Sequence, residues 1–289
     1  MHSFLTSNLD RYAVIGNPII HSKSPFIHAL FAEQTGENII YEYRLAPIGG
    51  FEENVREFIA EGGRGANVTV PFKINAYVLS DTLSERAEAA GAVNTLRFDD
   101  GYIFGDNTDG IGLVRDIELH FGVSLSGIRI LILGAGGAAR GVIKPILDRT
   151  PKSITIINRT RRKAQTLVLQ FSEAARNAGC ILSGGGPEDM VCAEPYDVII
   201  NATSCSLNSK IPDCDIRAFG KTSLAYDMMY GKQSTVFTRY AASLGARVAD
   251  GIGMLVEQAA ESFKIWRSIQ PESTSVLAEL SKHVRGLSL

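Results

Sequence analysis

One stretch, residues 128–140 (IRILILGAGGAAR), restricts the fold more than any other. Five of its first six residues are apolar, broken only by Arg129, and three of them are isoleucine. Such a run fits a strand buried on both faces of a parallel sheet. It stops at Gly134-Ala135-Gly136-Gly137-Ala138-Ala139, after which Val142, Ile143, Ile146 and Leu147 recur at helical spacing. Strand, glycine turn and helix form the setting in which G-x-G-x-x-A binds a dinucleotide. Gly134 allows the tight turn, Gly136 lets a pyrophosphate approach the backbone, and Ala139 keeps helix and strand close. The N–H groups of the first helical turn then face the phosphates. Without a ligand the same pattern is only a tight βα turn, so the flanking chain must decide.

Residues 110–250 alternate strand and helix, with strands read at 128–133, 153–157, 180–182, 197–202, 224–227 and 246–250. This is the pattern of a doubly wound α/β sheet. At the end of the second strand an NAD site would carry Asp or Glu for the ribose hydroxyls. Here the run is Asn158-Arg159-Thr160-Arg161-Arg162-Lys163. The acid is absent and cations cluster, which suits a 2′-phosphate. A basic helix start is the bland reading, but cations in a first turn oppose the helix dipole.

The first part of the chain reads as a second α/β domain. A strand at 11–16 opens a loop, and Ser24-Pro25 has the form of a helix start, with Ser24 as N-cap. Ser22 and Ser24 then present hydroxyls at a positive helix end, where a small carboxylate would bind; capping alone explains Ser24 equally well. A strand at 39–45 and a helix at 51–59 follow, and residues 65–71 alternate like a strand that ends at Pro71. Asn67, Thr69 and Lys73 fall at or just past its carboxyl end, where open sheets place ligands. A lysine there is ordinarily just solvated; its neighbours make this one a candidate. A helix at 84–91 precedes a hairpin whose strands flank Asp99-Asp100-Gly101. Asn94 and Asp109 can point toward the same strand end, although Asp109 alone reads as the N-cap of a helix over 111–121. A long helix runs from 251 to about 269, Pro271 interrupts it, and a last helix ends near Arg285. No linker rich in Pro or Ser separates the domains, so ordered elements must join them.

Composition narrows the function classes. The 289 residues are enough for about two domains, and 45% hydrophobic with 21% charged residues is ordinary for a globular chain. A net charge of −2 without long runs of one sign offers nothing to nucleic acid or an anionic membrane surface. The first 16 residues lack the basic-then-apolar pattern of a signal peptide. Cys180, Cys192, Cys205 and Cys214 form no C-x-x-C, and His2, His21, His28, His120 and His283 are scattered. No metal and a reducing cytoplasm are therefore expected.

Collected in order, the motifs resemble the shikimate dehydrogenase family over nearly the whole chain. They are His21-Ser22-Lys23-Ser24-Pro25, residues 65–73 (GANVTVPFK), Glu85-Arg86-Ala87, residues 91–95 (GAVNT), residues 105–110 (GDNTDG), residues 134–138, Asn158-Arg159-Thr160, Tyr226-Asp227-Met228, Tyr230 and residues 250–258 (DGIGMLVEQ). The resemblance implies a substrate-binding catalytic domain over residues 1–109 with the C-terminal helices 252–289, and an NADP-binding Rossmann domain over 110–251. It implies Ser22, Ser24 and Tyr230 as ligands of the shikimate carboxylate. Asn67, Thr69, Lys73, Asn94, Asp109 and Gln258 would hold the ring hydroxyls, with Lys73 and Asp109 as the catalytic pair. Glu85, Gly134, Ala135, Gly136, Gly137, Ala138, Asn158, Arg159, Thr160, Lys163, Met228 and Gly251 would serve NADP. Family members commonly carry Arg where this chain has Lys163, and lysine keeps the charge but loses the bidentate fork.

The implied reaction is reversible oxidation of shikimate to 3-dehydroshikimate, a step toward chorismate and the aromatic amino acids. Burial disfavours a charged Lys73 and a nearby carboxylate favours it. Lys73 therefore either takes the hydroxyl proton or donates to the developing alkoxide while Asp109 or water relays the proton. Expected partners are small molecules alone, with the chain a monomer or homodimer. Three other readings compete: a quinate/shikimate dehydrogenase using NAD, an enzyme of related build acting on another small substrate such as an aminated shikimate, and a cofactor-binding regulatory module without turnover.

Overall fold

The structure, a computed structural model, describes residues 9–190 and 192–286. His2 and the first half of the segment read above for a signal peptide lie outside them. The contacts divide the chain into two compact units: Met1–Thr108 with Ala259–Val276, and Asp109–Gln258 with Leu277–Leu289. The C-terminal helices expected to join the first domain as one piece are thus shared between the units.

In the first unit, β1 (Asp10–Gly16), α1 (Ser24–Thr35), β2 (Ile39–Leu45), α2 (Phe51–Ala60) and β3 (Gly63–Val68) are followed by α3 (Lys73–Leu79), β4 (Thr82–Leu83), α4 (Glu85–Ala90), β5 (Thr95–Asp99) and β6 (Tyr102–Asp106). The sheet order is β2-β1-β3-β5-β6-β4. β1 pairs in parallel with β2 and β3, while β3–β5 and β5–β6 are antiparallel. β1 buries Tyr12, Ala13, Val14 and Ile15 in succession, as a strand with both faces covered must. The β5–β6 turn holds Asp100 at φ 45° and Gly101 at φ 90°, the paired left-handed conformations that suit the twist of a two-residue hairpin. Ile15, Phe51, Val55, Phe58, Val68, Phe72 and Leu96 pack as one core.

One expectation fails here. Lys23, not Ser24, is the N-cap of α1 and makes no side-chain cap bond; Ser24 is already helical. Its N–H donates to the Ser22 hydroxyl at 3.3 Å, so Ser22 does the capping. The Ser-Pro pair marks the helix start one residue too late, because Pro also fits the second helical position.

In the second unit, α5 (Asp109–Arg115) runs into a π-helical turn, Asp116–His120, which shortens the helix expected over 111–121. Then come β7 (Arg129–Leu133), α6 (Gly137–Leu147), β8 (Ser153–Ile157), α7 (Arg161–Asn177), β9 (Ile181–Gly185), β10 (Val198–Asn201), β11 (Leu224–Asp227), α8 (Val236–Ser243), β12 (Arg247–Asp250), α9 (Ile252–Arg267) and α10 (Thr274–Arg285). Every strand pairing is parallel, in the order β12-β11-β10-β7-β8-β9. The first strand of this unit is central and the chain winds outward both ways, the arrangement that opens a crevice at the switch point. Among the described residues no helix is long and apolar enough to cross a membrane.

Candidate active site

In the second unit the glycine turn does what its sequence suggests. Gly134 has φ 108°, and a Cβ there would meet Thr203 Cγ2 at 3.0 Å. Gly136 and Gly137 face open space, with nothing within 4 Å of a Cβ position. α6 starts at Gly137, so its unpaired N–H groups lie beside that space. The Gly134 N–H donates to Ile157 O at 2.8 Å, and the Ala135 N–H donates to Asn158 Oδ1 at 3.2 Å. Asn158 therefore braces the turn from the end of β8.

A cavity of about 520 Å³ opens there, lined by Gly134, Asn158, Arg159, Thr160 and Lys163 on one side and by Thr203, Asn208, Lys210 and Asp213 on the other. Arg159 lies before α7, so it and Lys163 are not successive turns of one helix, yet both reach the cavity. Among the described residues neither is held by an acid, whereas Arg161 is bound to Glu188 and Asp189 at 2.9 and 2.6 Å. Two uncommitted cations and bare backbone beside a helix start match a dinucleotide carrying an extra phosphate. Asn208 ends a short 3-10 turn, Cys205–Asn208, and Lys210 follows it in irregular chain; neither position carries a spacing signal that motif reading could use.

Met228 and Gly251 lie back to back at the ends of β11 and β12. A Cβ on Gly251 would run into the Met228 carbonyl oxygen, and the Gly251 N–H donates to Met229 O at 3.2 Å. Only glycine fits this approach. Tyr230 follows three residues past β11, and burial raises its phenol pKa. Gln258, buried on α9, donates through Nε2 to Leu255 O at 2.8 Å. Asp109 is the first residue of α5.

The first unit gathers the other candidates. Thr69 packs under the end of β1, where a Cβ on Gly16 would meet its Cγ2 at 2.5 Å. Its N–H donates to Ile15 O at 2.9 Å, and the Phe72 N–H donates to Thr69 O at 3.0 Å, turning the chain so that half-buried Lys73 opens α3. Asn94 is buried; its Nδ2 donates to Thr108 Oγ1 at 3.0 Å and its Oδ1 accepts from the Thr108 N–H at 2.8 Å. Asn67, also buried, donates through Nδ2 to Asn94 O, Thr95 Oγ1 and Ser262 Oγ. Ser22 Oγ donates to Ser24 Oγ at 3.2 Å. Glu85 is exposed at the start of α4. Thr95, Thr108 and Ser262 complete the network, and no motif picked them out as polar partners.

Comparison with known proteins gives the family. Residues 14–96 match the family described as the shikimate dehydrogenase substrate binding domain. Residues 117–209 match shikimate / quinate 5-dehydrogenase, and residues 251–280 match the shikimate 5′-dehydrogenase C-terminal domain. A protein of Cupriavidus taiwanensis named shikimate dehydrogenase (NADP(+)) is 54% identical over 277 residues, covering 95% of this chain and 94% of its own. The chain belongs to the shikimate dehydrogenase family. Solved structures of similar proteins carry the same fold. An enzyme from Pseudomonas putida superposes with TM-score 0.89 at 44% identity, covering 94% of this chain and 98% of its own. A shikimate 5-dehydrogenase from Thermus thermophilus, solved with NADP(H) and shikimate, gives 0.83 at 31% identity, covering 96% and 100%.

Proposed function

We propose that this member of the shikimate dehydrogenase family oxidises shikimate reversibly to 3-dehydroshikimate with NADP, in the route to chorismate. The observation that carries the cofactor reading is the cavity at the ends of β7 and β8, with Arg159 and Lys163 unclaimed by any acid among the described residues. The bound dinucleotide would supply the hydride acceptor. What the chain contributes is position and a proton path. Ser22, Ser24 and Tyr230 hold the carboxylate; Asn67, Thr69, Asn94 and Gln258 hold the ring hydroxyls. Lys73 and Asp109 handle the proton of the reacting hydroxyl, one taking it as the other stabilises the charge that develops. Ala135, Gly136, Gly137 and Ala138 present backbone to the pyrophosphate, Asn158 and Thr160 border the ribose, and Met228 with Gly251 flank the nicotinamide. Residues 1–109 and 252–289 serve the substrate and 110–251 the cofactor. We place the chain in the cytoplasm as a monomer or homodimer acting on small molecules, without nucleic acid or membrane.

The test is NADP reduction by purified protein given shikimate, with quinate and NAD as comparators. Shikimate with NADP should give the highest kcat/KM. Equal kcat/KM for NAD, or for quinate, would replace this reading with the quinate/shikimate type.

A further inference from the structure

Asp227, the last residue of β11, is fully buried. Its carboxylate accepts two hydrogen bonds on each oxygen. Oδ1 accepts from Asn201 Nδ2 and from the Met229 N–H, both at 3.1 Å. Oδ2 accepts from the hydroxyls of Ser206 and Thr235, both at 2.6 Å. Asn201 ends β10, and its own Oδ1 accepts from the Thr203 N–H at 3.1 Å and the Thr203 hydroxyl at 2.7 Å. The Thr203 oxygen accepts in turn from the Cys205 N–H at 3.2 Å. Thr203 and Cys205 line the cofactor cavity, and Ser206 follows them directly. On the other side, Met229 stands between Met228 and Tyr230. Its N–H is held by Asp227 and its carbonyl oxygen accepts from the Gly251 N–H at 3.2 Å, so both its backbone groups are engaged. Thr235, whose proton goes to Asp227, caps α8 by accepting from the Thr238 N–H at 3.1 Å.

Burying a carboxylate is costly, and an apolar side chain of similar size often leaves a fold as stable or more so. Stability alone therefore gives little reason for an acid here. What the carboxylate adds is four acceptor directions on one rigid group, with short bonds because the acceptor is charged. It stands at the carboxyl ends of adjacent parallel strands, the edge of an α/β sheet where ligands lie. We propose that Asp227 is a positioning residue that ties two parts of the cofactor site together. Through Asn201 and Ser206 it holds the Thr203–Cys205 wall of the cavity; through Met229 it holds the segment bearing Met228 and Tyr230. The proposal rests on the assignments of the cavity, Met228 and Tyr230 made above. Being closed off from solvent, Asp227 acts through these partners and not by contact with a ligand. An amide in its place can keep all four bonds: its oxygen accepts from the two N–H donors, and its nitrogen donates to the Ser206 and Thr235 hydroxyls once these turn. Alanine keeps none.

Wild type should be compared with Asp227→Asn, Asp227→Ala, Ser206→Ala and the double variant of the last two. Kd for adenosine 2′-monophosphate probes the cavity alone; kcat and shikimate KM report on the Met228 and Tyr230 segment; melting temperatures are taken alongside. Ser206→Ala cuts only the arm to the wall. It should weaken adenosine 2′-monophosphate by about 2- to 12-fold, the range for one hydrogen bond, with kcat and shikimate KM unchanged. Asp227→Ala should weaken that ligand at least as much, and should also lower kcat and raise shikimate KM by about 2-fold or more each. Asp227→Asn should bring every value to within about 3-fold of wild type, since only the charge assistance of the bonds is lost. Adding Ser206→Ala to Asp227→Ala should change nothing further. If Asp227→Ala moves only the melting temperature, or Asp227→Asn is as damaging as Asp227→Ala, the positioning role fails. It fails as well if Ser206→Ala leaves adenosine 2′-monophosphate binding intact, an outcome that stands even where Asp227→Ala does not fold. A wild type unable to bind adenosine 2′-monophosphate would overturn the cofactor assignment of the cavity itself, and the positioning role would fall with it.

Discussion

At the scale of single residues, the proton-handling pair gives the sharpest expectations. Lys73→Met should lower kcat by about 10²-fold or more, as for loss of a proton-transfer group, with a much smaller change in shikimate KM. An effect on KM alone would make Lys73 a binding residue. In the cofactor cavity, Arg159→Ala should raise KM for NADP by roughly 10-fold or more and leave KM for NAD nearly unchanged. The preference for NADP should shrink as salt screens these exposed charges. Steady-state kinetics with both cofactors at low and high ionic strength check this. The cationic run was legible because it stands where an acid belongs in an NAD site. The partition of its charges was not: Arg161 is closer to the helix than Arg159, yet acids 27 and 28 residues downstream claim it. Residue identity cannot announce such partners.

At the scale of elements, four strands of the second sheet, β7, β8, β10 and β11, could be read to within a residue at each end, because they are mostly buried runs bounded by turns; β9, with an exposed face, runs three residues past the end expected for it. The helix after Asp109 could not. Its sequence continues smoothly through Asp116, but the structure widens into a π turn there. The reason lies in a contact remote in sequence. Tyr226 donates to Asp116 Oδ2 at 2.5 Å, while Oδ1 has no partner among the described residues and points where a Cβ on Gly253 would stand. Burial raises the Asp116 pKa from 3.8 to about 6; the Tyr226 bond and His120 oppose this, and Glu257 and Asp250 add to it. A carboxyl raised in the folded state stabilises the fold below its unfolded pKa, and that contribution is lost as pH rises through about 6. Asp116→Asn should therefore leave stability little changed near pH 4 and increase it at pH 8, by at most about 3 kcal/mol. Denaturant titrations at the two pH values decide, and an equal effect at both would remove the titration argument. Gly253→Ala should cost about 1–3 kcal/mol, because the new methyl must displace the Asp116 carboxylate.

At the scale of the whole molecule, a ligand that binds only the folded chain adds stability by mass action. NADP at 100 times its Kd should contribute about 2.7 kcal/mol, and Arg159→Ala at the same NADP concentration should lose most of it. A thermal shift series measures both. The feature with the widest reach is the return of α9 to the first unit. There Trp266 stacks on Tyr12 at 4.6 Å and donates to Leu96 O at 2.9 Å, Ser262 meets Asn67, and Arg267 binds Asp10 and Glu37. A fragment ending at Thr108 lacks all of these and should not show a cooperative melt, whereas co-expression with the 259–276 segment should restore one. During synthesis the consequence is a matter of timing. Residue 259 leaves the ribosome about 150 residues after Thr108, or roughly 8–30 s later at ordinary elongation rates. The part of the chain made first is thus completed only after the part made second, and in that interval the Tyr12 and His28 face is a surface for chaperones to guard.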